Sequence, residues 1–337
     1  MKIGLHIGPL DRFPTMARFL EFVRHAEALG FDPLLFSDTV SMSHFHVFDP
    51  FVLTGLVAGA TRHAALGTCV TTPVTRHPSV LANAFGTLGH AIAPRRAILG
   101  IGSGDTAAYL IGKRHVRLRV LREFVQTLRG FLDGEPVEYE GHVLRSNWRR
   151  HDTPIFLAAD GPRTLALGGE IAQGVILGAG ILPEVVRWAE ARIAEGERRA
   201  GRASGSTELW VDTIVSVGED REAVRRAVRA RVSNRANHNF RIDYHCVPEA
   251  HMAEARRFRE NYVEGDVGAH SGNVANVTDY LVDRFAIAGT RDDVVQRFES
   301  LAALGVGTVL VAMPFHLEQR FQIIELLARD VMPRVDP

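Results

Sequence analysis

Apolar and polar positions along this 337-residue chain switch period repeatedly, from the short apolar or alternating runs of strands to the three-to-four spacing of one-faced helices. Residues 2–7 form an apolar run; Met16, Phe19, Leu20, Val23, Ala26 and Leu29 then mark one buried helical face, which Gly30 stops. The strand-then-helix unit recurs at 34–37 and 48–60, 65–71 and 78–92, 97–102 and 116–132, 155–158 and 163–172, and 175–178 and 183–200. An alternating strand at 209–217 with a helix at 219–232, then a helix at 292–304, a strand at 308–312 and a helix at 317–331, complete the series. Eight strands separated by helices predict a parallel sheet, and this count and length favour an α/β fold closed into a (β/α)8 TIM barrel over an open doubly wound sheet.

Two segments break the rhythm. A small hairpin is predicted at 137–144 around Gly141-His142, within an insertion at about 135–150, and 234–287 reads as a helical insertion before the eighth strand. The second carries His238, His245, Cys246, His251 and His270 at no metal-ligand spacing, and insertions at strand ends commonly form lids or substrate walls. The whole of 1–337 is read as one domain.

Composition narrows the class. With 46% hydrophobic residues the chain can bury a large core, and 39 basic against 39 acidic residues leave no global field to attract nucleic acid or an anionic membrane. Two cysteines make neither a disulfide framework nor a multi-cysteine zinc site, and the chain opens on a strand rather than a signal peptide, so a cytoplasmic protein is expected. Only two lysines are present, Lys2 starting a strand and Lys113 in a loop, and neither suits Schiff-base chemistry, which needs a desolvated lysine on a rigid element.

In such a barrel the active site lies at the strand carboxyl ends, which selects His6, Asp38, Thr71, Thr72, Ser103, Asp105, Asp160, Gly178 and the segment Met313 to His316. Leu99-Gly-Ile-Gly-Ser-Gly-Asp105 runs a strand into a glycine-rich turn ending in a carboxylate, and Ile155-Phe-Leu-Ala-Ala-Asp-Gly-Pro-Arg-Thr164 repeats the plan. In the second, Pro162 suits a first helical position and Asp160 suits a cap; the alternative is an anion site built from the N–H groups of Arg163 and Thr164 and the Arg163 guanidinium. Gly178-Ala179-Gly180 offers a second close approach beside it. Asp105 reads equally as a turn cap or as a group that orients a ligand or relays protons. His44 and His46 lack a third ligand at set spacing and are read, with Phe315, as the rim of an apolar substrate pocket rather than a metal site.

With Gly67-Thr-Cys-Val-Thr-Thr-Pro-Val-Thr-Arg-His-Pro78, Leu99-Gly-Ile-Gly-Ser-Gly-Asp105, Ala158-Ala-Asp-Gly-Pro-Arg163 and Phe285-Ala-Ile-Ala-Gly-Thr290 in order, the chain resembles the luciferase-like flavin oxidoreductase superfamily, in its methylenetetrahydromethanopterin reductase-like branch. The resemblance implies a (β/α)8 barrel, a homodimer, and FMN or the deazaflavin coenzyme F420 at the carboxyl face. It implies a bulged third strand with a non-proline cis peptide at Cys69-Val70 behind the ring, with Asp38, Thr71, Thr72, Gly102 and Ser103 facing the ring region. It places the ribityl phosphate on Gly161, Pro162, Arg163 and Thr164 with Gly178, Ala179 and Gly180, beside Asp160.

The implied reaction is hydride transfer between reduced coenzyme and a small organic substrate, with Asp38, Asp105, His6 or His316 managing protons. The alternatives are an FMNH2-dependent monooxygenase, fed by a separate flavin reductase, and a non-catalytic flavin-binding protein; a divalent-metal hydrolase would need paired histidines at the first strand, where His6 stands alone. Sugar-phosphate and alcohol dehydrogenases of the family tend to show a histidine directly after the second-strand aspartate, and the pterin reductases a glutamate at the end of the first strand. This chain has Asp38-Thr39 and His6 there, so neither role transfers directly.

Overall fold

The computed structural model describes residues 1–8, 13–39, 47–93, 96–146, 152–268, 270–313 and 317–335. In chain order the elements are β1 (Lys2–Ile7), α1 (Met16–Ala28), β2 (Leu34–Phe36), α2 (Pro50–Ala60), β3 (Leu66–Thr71), α3 (Pro78–Ile92), β4 (Ala97–Ile101), α4 (Thr106–Tyr109) and α5 (Leu118–Asp133). The hairpin β5 (Val137–Tyr139) and β6 (His142–Leu144) follows, then β7 (Ile155–Ala158), α6 (Pro162–Ile171), β8 (Gly174–Leu177), α7 (Pro183–Arg199), β9 (Glu208–Val217) and α8 (Arg221–Phe240). The chain continues through α9 (Glu249–Glu260), α10 (Asp279–Phe285), β10 (Ala286–Gly289), α11 (Arg291–Ala303), β11 (Thr308–Ala312) and α12 (Leu317–Leu326).

All the barrel pairings are parallel. The strands run β9-β11-β1-β2-β3-β4-β7-β8, and β9 also pairs with β8, which closes an eight-strand barrel. The predicted (β/α)8 fold is what forms. Its interior is packed: Leu35, Ala65, Cys69, Ile98, Phe156, Ile176, Trp210 and Leu310 fill it, with the Phe156 and Trp210 rings 3.8 Å apart between centroids.

Two expectations are corrected. Helix α8 does not stop at 232 but continues to Phe240, so the segment from 234 begins inside it. Periodicity missed this because its last turns bury Asn237 and Asn239 between the apolar Ala236 and Phe240, which breaks the apolar spacing. Starting at the end of the same segment, Ala286–Gly289 joins the barrel sheet as its ninth strand, pairing with the far end of β9 from Ala286↔Ile214 to Gly289↔Val217. Ten-residue β9 therefore serves β8 and β11 with its first half and β10 with its last residues. Four apolar residues directly after a helix carry no period of their own; only the free edge of β9 makes them a strand.

At the site end, β3 and β4 shift register between Thr68 and Thr71. The Cys69-Val70 peptide is cis, at the position the resemblance implied. Gly100 is required beside it, since a Cβ there would stand 2.2 Å from the Thr68 carbonyl oxygen. Among the described residues, no helix is long and apolar enough to cross a membrane.

Candidate active site

The strand carboxyl ends bring most of the predicted residues to one mouth, and a helix the sequence reading cut short ties them together. His6, one residue before the end of β1, has both ring nitrogens engaged: Nδ1 lies 3.1 Å from Asp212 Oδ1 and Nε2 lies 2.8 Å from Ser37 Oγ. Asp212 projects from the middle of β9 and accepts a hydrogen bond from Arg235 of α8 on its other oxygen. Burial opposes the imidazolium, but Cys69 and the Asp212 carboxylate outweigh it and raise the His6 pKa from 6.5 to about 10. Burial likewise opposes the Asp212 carboxylate, yet Arg235 and His6 hold its carboxyl well below the usual range. Ligand atoms of His6, Cys69 and Asp212 lie within 4.8 Å of one another. The lone pairs and protons of His6 and Asp212 are committed to Ser37, to each other and to Arg235, whose fixed positive charge repels a cation.

Asp38 follows β2 and accepts from Thr71 Oγ1 at 2.6 Å, with Arg76 Nε 3.9 Å away. Burial raises its pKa against the pull of Thr71 and Arg76, so its proton is available nearer neutrality than that of a surface aspartate. Thr72 is buried and its Oγ1 accepts from the Val74 N–H at 3.2 Å. A Cβ on Gly104, whose φ is +91°, would lie 2.6 Å from that oxygen, so glycine lets the β4 loop lean on the β3 loop. Val70 packs over Gly102, where a Cβ would sit 3.2 Å from Val70 Cγ2, and the Ser103 carbonyl accepts from the Val116 N–H.

Asp160 does not cap α6. Its Oδ1 instead accepts from the Gly178 N–H at 2.7 Å, joining the loops after β7 and β8. Burial pushes its pKa up, opposed by the Arg235 charge and by that amide. The physical reason is competition: the neighbouring strand offers a buried amide, while the helix start lies open. Gly161 is the actual N-cap of α6, with no side-chain cap, Pro162 first in the helix and no acidic residue in the first turn. A Cβ on Gly161 would meet nothing within 4 Å. The ten-residue helix thus presents uncapped amide groups of Arg163 and Thr164 to open space, where its dipole favours an anion.

Gly178 and Gly180 have a different use from close ligand approach. A Cβ on Gly178 would stand 2.6 Å from the Arg235 guanidinium, and one on Gly180, at φ +132°, would stand 2.8 Å from Arg284 Cγ. Arg284 is fully buried at the end of α10 and donates to the carbonyls of Ala179 (3.0 Å), Cys246 (2.9 Å) and His245 (2.7 Å) and to Tyr280 Oη (2.9 Å). The 234–287 segment therefore supports the wall beside the anion site from behind.

Asp105 makes no cap bond to α4; it sits half-exposed at the rim, 3.2 Å from Arg241 Nη1 and 3.6 Å from His238 Nδ1. His238 also lies 3.4 Å from Thr106 Oγ1, and burial lowers its pKa despite Asp105. His44, His46, Phe315 and His316 lie outside the described residues. Sequence reasoning missed Ser37, Asp212, Arg235 and Arg284. A lone charge within the buried alternation of β9 was the available signal for Asp212. Arg231, Arg235 and His238, four and three residues apart on one face of α8, were the signal for the helix.

The family model for luciferase-like monooxygenases matches residues 4–308. A 5,10-methylenetetrahydromethanopterin reductase of Archaeoglobus fulgidus is 29% identical over 345 residues, covering 99% of this chain and 100% of its own. An F420-dependent glucose-6-phosphate dehydrogenase of Nakamurella multipartita is 26% identical over 328 residues, covering 92% of this chain and 90% of its own. Among solved structures, the coenzyme F420-dependent tetrahydromethanopterin reductase of Methanopyrus kandleri superposes with a TM-score of 0.81 at 25% identity, over 99% of each chain.

Proposed function

This chain belongs to the luciferase-like monooxygenase family, and from that premise we propose that it binds F420 at the barrel mouth and exchanges a hydride between that coenzyme and a small organic substrate. It is an oxidoreductase whose cofactor is F420 or FMN. The choice of F420 follows the two similar F420-dependent enzymes. The observation that carries the reading is the open, uncapped start of α6 at Gly161, at the carboxyl ends of the strands, where the helix dipole favours a phosphate.

Gly161, Pro162, Arg163 and Thr164 would hold the phosphate, with Gly178, Ala179 and Gly180 as the rigid wall beside it and Asp160 locking the two loops together. Cys69, Val70, Thr71, Thr72, Gly102 and Ser103 would border the ring. When bound, the deazaflavin supplies a carbon centre that donates or accepts a hydride. Asp38, its carboxyl held by Thr71 and its pKa raised by burial, and Asp105 at the rim are placed to orient the substrate.

The test is anaerobic fluorescence titration with F420, FMN and FMNH2, followed by oxygen exposure. Tight binding of F420 without FMN supports the proposal. Rapid oxygen uptake with FMNH2 and a substrate would replace it by the monooxygenase reading, and binding without turnover of any substrate by a storage role. Gly161→Leu is expected to weaken F420 binding at least about tenfold while leaving stability within about 1 kcal/mol, because the new side chain enters empty space at an ordinary φ of −113°. Equal loss of binding and stability would make Gly161 a plain helix start.

A homodimer is also proposed. α2 buries Leu53 and Val57 yet leaves Val52 64% and Leu56 47% exposed, and Val80 of neighbouring α3 is 55% exposed. Large apolar side chains clustered on one outer face favour a partner surface of like kind. Sedimentation should give a dimer at micromolar concentration, converted to monomer by Val52→Glu with Leu56→Glu. A monomeric wild type excludes it.

A further inference from the structure

We propose that Ser37 is the residue that passes protons between substrate and protein, as the mouth end of a hydrogen-bonded chain running Ser37–His6–Asp212 and closed by Arg235. The inference rests on the oxidoreductase reading above and assigns a role within that site to a residue no motif marks.

The geometry leaves little choice of route. Nδ1 of His6 is taken by Asp212, whose side chain is only 6% exposed, and Nε2 is taken by Ser37 Oγ at 2.8 Å. His6 therefore has no ring nitrogen left for substrate, and a proton leaving it toward the mouth travels through the Ser37 hydroxyl. Ser37 is half-buried at the carboxyl end of β2, and Gly8 across from it carries no side chain; a Cβ there would still be 3.7 Å from Oγ. The charged and titratable groups around His6 are Asp212 from β9, Cys69 from β3, Arg235 from α8 and, beyond Ser37, Asp38, itself engaged by Thr71 and facing Arg76. With His6 as imidazolium up to about pH 10, Nε2–H donates to Ser37 and the hydroxyl proton of Ser37 is directed away from His6. Asp212 stays ionised between two cations and so positions the chain rather than accepting its proton.

In substrate reduction, the carbon of a C=O or C=N group gains a hydride, with its electron pair, from the reduced coenzyme, which is thereby oxidised by two electrons. Ser37 gives its hydroxyl proton to the heteroatom and regains one from His6 Nε2. His6 is left neutral, keeping its Nδ1 proton in the hydrogen bond to Asp212, and solvent restores the Nε2 proton once product departs. Substrate oxidation runs the same transfers backwards.

The test uses the full chain labelled with 15N-histidine, first without coenzyme, with His6→Asn identifying the His6 signals. Both ring nitrogens of His6 should be protonated at pH 8, and Ser37→Ala should speed solvent exchange of the Nε2 proton about tenfold or more while leaving Nδ1 unmoved. A neutral His6 at pH 8, or Nε2 exchange unaltered by Ser37→Ala, overturns the chain. With F420H2 and a panel of simple ketones, aldehydes and imines, Ser37→Ala should slow single-turnover oxidation by roughly 10²–10⁴-fold with F420 affinity unchanged, and Ser37→Thr should restore most of the rate. A Ser37→Ala rate within about twofold of wild type overturns the delivery step. If F420 does not bind or no panel member reacts, the reading of the function fails or narrows, and the coenzyme-free spectra decide the relay alone.

Discussion

Arg284→Met is expected to destabilise the fold by about 3–5 kcal/mol and to weaken coenzyme binding along with it. Arg284 spends its donors on three backbone carbonyls and the Tyr280 hydroxyl, drawing the loop after β8, the 245–246 turn and α10 onto one guanidinium. Its own carbonyl accepts from the Ile181 N–H at 2.8 Å, and Gly180 packs on its side chain. Methionine keeps the apolar stem but strands these acceptors, each costing about 1–3 kcal/mol where water cannot reach. The Gly178–Gly180 wall then loses its backing, so binding at Gly161 suffers although no residue there has changed. Urea unfolding and F420 titration check both parts; stability within about 1 kcal/mol of wild type would show that water replaces the guanidinium.

Asp212→Asn is the second large effect. Asparagine fills the same space but removes the charge that holds His6 and Arg235, leaving two cations facing each other in a buried site; the expected cost near neutral pH is about 3–5 kcal/mol. The pH dependence has a definite sign. His6 titrates at 6.5 unfolded and about 10 folded, so its contribution is complete below pH 6.5 and is lost as pH rises toward 10. Asp212 is depressed from 3.8, so its contribution is complete above that value and is lost as pH falls through it. Wild-type stability should therefore peak between about pH 4 and 6.5 and decline on both sides, and the variant should flatten both limbs. Urea midpoints at pH 5, 7 and 9 decide it; a wild type equally stable at pH 5 and 9 would contradict a charged His6.

The sequence determined the barrel and its mouth. Strand runs and helical faces are local periodicities that burial against a single core enforces, so seven of the predicted strands after β1 and their helices could be read from spacing. The glycine-rich ends at Gly102–Gly104 and Gly161 were legible for the same reason: backbone demands leave glycine where a side chain would collide or fill a needed space. Partnership was not legible. Asp160 looks like a helix cap, and only the arrival of β8 offers it the Gly178 amide instead. Ala286–Gly289 becomes a strand only because β9 outruns the barrel. Ser37, Asp212, Arg235 and Arg284 acquire their roles from residues up to 206 positions away in the chain, as for His6 and Asp212. A polar side chain advertises its capacity to bond but not its partner, and partner choice follows from which strand ends the closed sheet brings within 3 Å of one another.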